Sequence, residues 1–157
     1  MDNINSTTRF SDITQKIILT QTDTTVGFLS QNGTKLAQIK SRPPTKPFIK
    51  VYKNFKSLAY DKVRIPNKQK NRVRRAKQSS FIIKTRSFRV AHPILQSTLL
   101  QNLSWSYSTS ANESGKKFLR NFCEEKADII IEDKIGLFEN KASKLYKINN
   151  KKIVRLR

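Results

Sequence analysis

Short apolar runs, most of them four or five residues long, recur along the chain between polar segments. Runs of this length bounded by turn-forming residues are typical of buried β-strands. Elsewhere, apolar residues recur at spacings of three and four, which is typical of amphipathic helices. The pattern therefore predicts a chain of short strands interspersed with helices. The predicted strands are Lys16–Thr20, Val26–Ser30, Phe48–Tyr52, Ser80–Lys84, Phe88–Ala91, Trp105–Thr109 and Asp128–Glu132.

Helices are predicted between these strands. Asn32-Gly33 is a turn signal ahead of a short helix around Leu36, which must end near Arg42 because prolines follow it. Lys144–Arg157 reads as a hairpin turning at Asn149-Asn150. The other helical candidates are one or two turns in Phe55–Tyr60, the basic segment Asn67–Lys77 for which a helix is one option, a helix led by Pro93 with Ile94, Leu95, Leu99 and Leu103, and Lys116–Ala127 with the apolar stripe Phe118, Leu119, Phe122 and Cys123.

The composition is that of a folded chain. Apolar residues make up 36% of the 157 residues, and there are only four Gly and five Pro, which argues against wholesale disorder. Met1–Ser11 is polar and is expected to be a flexible tail. We therefore expect a single domain over residues 12–157.

The charge is strongly positive. Thirty-two Lys and Arg against eleven Asp and Glu give a net charge of +21, which favours polyanionic partners or anionic substrates. A merely basic surface, as in a lysine-rich proteome, would explain most of the lysines equally well. The charge alone does not choose between these interpretations.

Other chemistry is sparse. A single cysteine, Cys123, excludes an internal disulfide and is expected to pack in the core. The single histidine, His92, lies in no Cys or His cluster, so no metal site is predicted. The amino-terminal segment lacks the pattern of a signal peptide and no apolar run has the length of a membrane span, so we expect a cytoplasmic protein without a membrane partner.

Three ordered motifs resemble a known family. They are Thr22-Asp23-Thr24 with Gly27, then Lys40-Ser41-Arg42-Pro43 with Lys46-Pro47, then Ser108–Asn112 (STSAN) followed by Ser114-Gly115. The motifs are similar in order and spacing to the YrdC/TsaC family of threonylcarbamoyl-AMP synthases. Arg89 resembles the arginine on a strand of that family. The serine-rich run lies at a predicted strand-to-helix junction, where α/β proteins commonly bind anions.

The resemblance implies a single-domain YrdC-like α/β fold, a twisted open mixed sheet with flanking helices and a basic concave face. It also implies synthesis of threonylcarbamoyl-AMP from L-threonine, bicarbonate and ATP with release of pyrophosphate, for the threonylcarbamoyl-adenosine modification of tRNA. Proteins that transfer the threonylcarbamoyl group to tRNA are then possible partners. Carried over by residue, the ATP site is Lys40, Arg42, Ser108, Ser110 and Asn112, and the threonine site is Thr22, Thr24 and Arg89.

These residue types suit that chemistry. A threonine carbamate is already an anionic nucleophile, so its attack on a phosphate needs positioned positive charge and neutral donors rather than a strong general base. Lys40 and Arg42 can stabilise the developing charge, and Arg89 can pair with a carboxylate through two parallel donors. Mg²⁺ is expected to arrive with ATP, held largely by phosphates and water.

A second interpretation is a YrdC-like module that binds tRNA or double-stranded RNA with little or no catalysis. It is motivated by the net charge and by the altered segment Arg74–Gln78, one of two departures from the family pattern. Val26 stands where an aromatic residue is common, and Arg74–Gln78 replaces a Pro-Gly-Pro-like segment. In the tail, Ser143 and Arg155 match the family too loosely to be assigned roles.

Overall fold

The structure, a computed structural model, describes residues 13–43, 45–91 and 102–157. Nine strands and four helices are formed within these ranges. The strands are β1 (Ile18–Gln21), β2 (Val26–Ser30), β3 (Ile49–Tyr52), β4 (Ser79–Ile83), β5 (Arg86–Val90), β6 (Trp105–Ser110), β7 (Ile129–Ile131), β8 (Lys144–Ile148) and β9 (Ile153–Arg155), and the helices are α1 (Gly33–Ile39), α2 (Phe55–Tyr60), α3 (Asn67–Arg75) and α4 (Arg120–Lys126).

All nine strands form one mixed sheet in the order β7-β1-β2-β6-β3-β5-β4-β8-β9. Three pairs are parallel, namely β1 with β7, β3 with β5, and β4 with β8. The other five pairs are antiparallel. The predicted mixed open sheet with flanking helices is therefore confirmed.

The four helices pack against the same face of the sheet, because each contributes a buried side chain to a cluster on that face. Leu36 of α1 and Cys123 of α4 pack with Phe28 of β2. Leu58 of α2 and Val73 of α3 pack with strands β3, β4, β5 and β8. On the opposite face, Ile13 and Leu103 cover the end of the sheet formed by β7, β1 and β2. The remaining part of that second face holds the cavity described below.

The predicted strands match the structure closely, with β2 at the predicted bounds. Asn32-Gly33 begins α1, since the Asn32 side chain accepts a hydrogen bond from the Lys35 N–H at 2.9 Å. The basic segment is helical as α3, and the carboxyl-terminal hairpin forms as β8 and β9. His92 and most of the helix predicted after Pro93 lie in residues 92–101, outside the described ranges. The predicted tail, Met1–Ser11, also lies outside them.

The helix predicted for Lys116–Ala127 is wrong at its start, since α4 begins only at Arg120. Gly115 has a positive φ of 77°, and the Asn112 side-chain amide donates to the Lys116 carbonyl. Both features hold the preceding segment in a non-helical path. As a result Leu119, expected on the apolar stripe, is 65% exposed.

Candidate functional site

The register of the sheet brings distant polar residues onto its second face. In β6, Ser108 and Ser110 point to the same side because side chains alternate along a strand. Ser108 lies opposite Ile49 of β3, and Ser110 lies opposite Gly27 of β2. Arg89 of β5 shares this face through its pairing with β3. Residues as far apart in sequence as Gly27 and Ser110 therefore meet on a face formed by four strands.

A cavity of about 400 Å³ opens on this face. The structure brings all eight sequence-predicted site residues together along its wall. Their assignment to ATP or to threonine stays a prediction. The eight are Thr22, Thr24, Lys40, Arg42, Arg89, Ser108, Ser110 and Asn112.

The loop after β1 is ordered by the Thr22 hydroxyl. This oxygen accepts from the N–H groups of Thr24 and Thr25, both at 3.2 Å, and donates to the Thr25 carbonyl at 2.7 Å. Since its one proton is used there, Thr24 must donate in the 3.1 Å bond between the two hydroxyls. Thr24 in turn accepts from Arg89 Nη1 at 3.3 Å. The two threonine side chains therefore form a chain of hydrogen bonds that ends on Arg89.

Arg89 is buried beside an acid. Its Nη2 lies 3.2 Å from Asp23 Oδ1, and the two side chains are 5% and 2% exposed. Burial lowers the pKa of Arg89, while the charge of Asp23 opposes that change. Neither Asp23 oxygen has an aligned hydrogen bond, and Arg89 Nε has no partner. The pair therefore retains hydrogen-bonding capacity in a site shielded from water.

Gly27 allows β2 to approach this loop. A Cβ at this position would lie 3.0 Å from the Thr109 carbonyl oxygen and 3.1 Å from Thr22 Cγ2. Both distances are shorter than ordinary van der Waals contacts. Glycine is therefore the residue that permits the present packing of Thr22 against the end of the sheet.

Lys40 caps the end of α1 and reaches the turn after β6. Its ammonium donates to the carbonyl of Ser110 at 3.0 Å and to the carbonyl and side-chain oxygens of Asn112 at 2.5 and 2.7 Å. The residue is only 8% exposed. Burial lowers the pKa of Lys40; the neighbouring Cys123 opposes this and Arg42 adds to it.

The donors of this turn are mostly used within it. The Ser110 hydroxyl donates to Asn112 Oδ1 at 2.8 Å, and the Asn112 amide donates to the Lys116 carbonyl. Ser110 and Asn112 thus hold Lys40 in place, rather than presenting free donors to the cavity. By contrast, the Ser108 hydroxyl forms no hydrogen bond with the described residues and remains available to a ligand.

Arg42 follows a left-handed turn at Ser41, whose φ is 46°. The Arg42 N–H donates to the Ala37 carbonyl at 3.0 Å, which closes the end of α1. Its guanidinium lies 4.6 Å from the centre of the Phe48 ring. Burial lowers the pKa of Arg42, and its Nε has no hydrogen-bond partner. The contact with the Phe48 ring therefore restrains a cation that still has a free donor.

Sequence reasoning included Lys46 in the second motif without a site role, missed Arg157 and left Ser143 unassigned, although all three line the cavity. The Ser143 hydroxyl bonds to that of Ser80 at 2.8 Å, and its carbonyl accepts from Arg157 Nε and Nη2 at 3.2 and 3.1 Å. Arg155 does not line the cavity. The predicted hairpin already contained the signal, because its register carries Arg157 back to the position beside Ser143.

The resulting site is positively charged. Five cationic side chains line it, and none of the described residues in its wall is acidic. A cleft lined by one sign of charge concentrates the field within it and attracts ions of the opposite sign. The arrangement is suited to binding anions. The cations are Lys40, Arg42, Lys46, Arg89 and Arg157.

No group of three or more His, Cys, Asp or Glu side chains in residues 13–43, 45–91 and 102–157 is arranged to hold a metal ion. Within the same ranges, every helix is too short or too polar to cross a lipid bilayer.

The sequence matches no protein-family model, and no match was found among curated proteins. Solved structures do match. A variant of P. abyssi Sua5 superimposes with a TM-score of 0.74 at 18% identity, over 96% of this chain and 55% of Sua5. The chain has a YrdC/Sua5-like fold. This confirms the fold expected from the three motifs.

Other structures share this YrdC/Sua5-like fold. P. abyssi Sua5 complexed with L-threonine matches with a TM-score of 0.70 at 19% identity, over 96% of this chain and 52% of Sua5. E. coli YciO matches at 0.72 and 17% identity, over 96% of this chain and 86% of YciO. Full-length HypF in a phosphate- and nucleotide-bound form matches at 0.72 and 13% identity, over all of this chain and 25% of HypF. The chain spans about half the length of Sua5.

Proposed function

We propose that this protein synthesises threonylcarbamoyl-AMP from L-threonine, bicarbonate and ATP, with release of pyrophosphate. One observation carries the proposal. Among the described residues, the buried side-chain polar atoms without a hydrogen bond belong to three residues, Asp23, Arg42 and Arg89. Arg42 and Arg89 line the cavity, and Asp23 lies against Arg89. Because such atoms are costly to leave unpaired, the free Nε donors of Arg42 and Arg89 favour a site completed by an anionic ligand, and the Asp23 oxygens can still accept from a donor.

L-Threonine is assigned to the side of the cavity formed by Thr22, Thr24 and Arg89. The Arg89 guanidinium is the group that would receive the carboxylate of the amino acid, since it is oriented by Asp23 and Thr24 and keeps a free Nε. The Sua5 structure with L-threonine supports this class of ligand for the fold. Gly27 allows Thr22 to pack closely against the sheet on this side of the cavity.

ATP is assigned to the opposite side, formed by Lys40, Arg42 and Ser108 with Ser110 and Asn112 behind Lys40. Lysine and arginine bind phosphate oxygens well, and the Arg42 guanidinium is restrained by its contact with the Phe48 ring. The phosphate- and nucleotide-bound form of HypF supports nucleotide binding by a protein that contains this fold.

The proposed chemistry has two steps. The amino group of threonine combines with bicarbonate to give a carbamate and water. A carbamate oxygen then attacks the α-phosphorus of ATP, a new P–O bond forms, and the bond to the β-phosphate oxygen breaks to release pyrophosphate. Negative charge increases on the phosphate oxygens in the transition state, and Lys40 and Arg42 stabilise it. No general base is needed for the second step, because the carbamate is already anionic.

Mg²⁺ would enter with ATP as part of the substrate. The wall of the cavity offers hydroxyl, amide and carbonyl oxygens and no carboxylate among the described residues. This donor set suits a Mg²⁺ ion that keeps the phosphates and water as its main ligands. The product would then pass to proteins that transfer the threonylcarbamoyl group to tRNA.

The decisive experiment measures pyrophosphate release from ATP by the folded protein with Mg²⁺. Release should require both threonine and bicarbonate. Release no greater than the blank would exclude the reaction. Thermal-shift titrations separate binding from catalysis: if ATP and threonine each raise the melting temperature without pyrophosphate release, the chain is a binding module of this fold.

A further inference from the structure

The positive charge is confined to one part of the molecule. Residues 40–91 and 141–157 contain 24 of the 32 Lys and Arg residues and one acid, Asp61, whereas the rest of the chain contains eight Lys or Arg and ten Asp or Glu. The first group includes strands β3, β5, β4, β8 and β9, which are consecutive in the sheet. The whole net charge therefore lies on this half of the sheet and its helices.

The single acid of this half is already paired. Asp61 accepts from Lys50 Nζ at 2.7 Å and from the Tyr52 hydroxyl. Burial would raise the pKa of Asp61, but these hydrogen bonds from Lys50 and Tyr52 hold it below its usual value. Asp61 therefore remains ionised and neutralises Lys50 rather than the cations of the helices.

Helix α3 carries the densest part of this charge. Gln69 and Val73 are its buried residues. At helical spacing, Lys68, Arg72 and Arg75 share one flank of the exposed surface. Lys70 and Arg74 lie on the other flank, and none of the five forms an ion pair with the described residues. By contrast, Lys35, Lys116 and Arg120 outside this half are all paired with acids.

The first flank borders a groove. A cavity of about 480 Å³ lies between α3 and the sheet, with Arg72 and Arg75 on its rim and Phe81, Tyr146 and Ile153 among its lining residues. It shares no residue with the cavity of the proposed ATP and threonine site. Cations at the edge of a low-dielectric groove exert a stronger field than cations on a flat surface.

We propose that α3 and this groove form a docking surface for the phosphodiester backbone of a nucleic acid. The spacing of three cations on one flank matches a repeating polyanion, and arginine favours phosphate. The inference goes beyond the proposed reaction, because it concerns a separate surface.

The same observations disfavour other polyanions. A helix that docks on a membrane needs an exposed apolar side chain to insert. Within α3, which the structure describes completely, the apolar residue Val73 is buried. If α3 itself were the helix that inserts into a groove of an acidic protein, it would likewise need exposed apolar anchors. The exposed surface of α3 consists only of Asn, Lys and Arg side chains.

The test uses the full chain and fluorescence anisotropy with a folded RNA of tRNA size, a short RNA duplex and a short DNA duplex, each over a series of salt concentrations. The triple variant Lys68→Gln, Arg72→Gln and Arg75→Gln should reduce the slope of log affinity against log salt by about 2 to 3 on a duplex, since each lost phosphate contact contributes about 0.9. Glutamine keeps the helix propensity of α3. The matched control, Lys117→Gln, Lys126→Gln and Lys134→Gln, removes the same charge from the other half.

An unchanged slope in the α3 variant, or equal losses in both triple variants, would overturn the docking surface. So would stronger binding to vesicles containing anionic lipid than to all three nucleic acids. Comparison of the affinities for the RNA and DNA probes shows which nucleic acid the surface binds. If the triple variant does not fold, Lys68→Glu alone should weaken binding, whereas Lys134→Glu should not. Pyrophosphate release should persist in the α3 variants, so failure of this inference is distinguishable from failure of the proposed reaction.

Discussion

Arg89 and Asp23 form a buried ion pair at the edge of the cavity, with 3.2 Å between Arg89 Nη2 and Asp23 Oδ1. Removing one partner leaves an uncompensated charge among buried side chains. We expect Asp23→Asn or Arg89→Met to lower the free energy of unfolding by about 3 to 5 kcal/mol. Removing both should cost less than the sum. Urea unfolding of the two single variants and the double variant measures this coupling, and additive losses would contradict it.

Arg42 is expected to act in catalysis more than in stability. Its guanidinium is only partly buried and stacks on Phe48 at 4.6 Å. Arg42→Ala should lower the rate of pyrophosphate release by about 10² to 10³-fold, as for other preorganised groups that stabilise transition-state charge. Arg42→Lys keeps the charge but loses the planar guanidinium. Its rate of pyrophosphate release should lie between the rates of the unmodified protein and of Arg42→Ala. A large fall in melting temperature in either variant would instead identify a structural role.

Deprotonation of Lys40 at high pH is expected to lower the activity and to raise the contribution of this residue to stability. Burial lowers its pKa from the ordinary value of 10.5. Between the lowered pKa and 10.5, the unfolded chain binds more protons at this position than the folded chain, so the contribution of Lys40 to stability rises with pH. Activity should fall in the same interval, because the charge that stabilises the phosphate is lost. The pH profiles of kcat/KM and of urea unfolding measure the two effects.

The control for Lys40 is Lys40→Arg, which stays charged throughout this range. If this variant is active, its loss of kcat/KM at alkaline pH should occur at a higher pH than in the unmodified protein. An identical alkaline limb in both proteins would assign the fall to another group.

Gly27 predicts a substrate-specific effect. The Cβ of Gly27→Ala would push against the Thr109 carbonyl and Thr22 Cγ2, with a cost of about 1 to 3 kcal/mol from overpacking. Because Thr22 holds the loop that orients Arg89, KM for threonine should rise more than KM for ATP. Gly33→Ala is the matched control, since its Cβ would meet the Tyr107 ring, away from the cavity. Equal changes in both KM values would show that Gly27 affects only the general fold.

The strands were the most predictable elements, because period-two and short apolar runs arise from residues that are neighbours in sequence. Val26–Ser30 is an example, with every residue buried at the predicted bounds. The start of α4 was not predictable in the same way. Its apolar spacing extends back to Phe118, but the Asn112 amide captures the Lys116 carbonyl that a helix would have used. A contact specific to this turn overrides the helical pattern.

The candidate site shows the same division. The types and order of Thr22, Lys40, Arg42 and Ser108 were enough to predict which residues share a cavity. Which donors remain free was not predictable, since Ser110 and Asn112 are paired within their turn while Ser108 is not. The choice of Arg157 rather than Arg155 likewise depends on the register of a hairpin.

By itself, the sequence determined the alternation of strands and helices, the buried faces and the residues with the chemistry to bind anions, because these follow from local spacing and residue type. Only the tertiary structure decided which charges are used and where. Asp23 neutralises Arg89 in a buried pair, and Asp61 neutralises Lys50. Among the described residues, the cations of α3 form no ion pair, because every described acid except Asp61 lies outside segments 40–91 and 141–157.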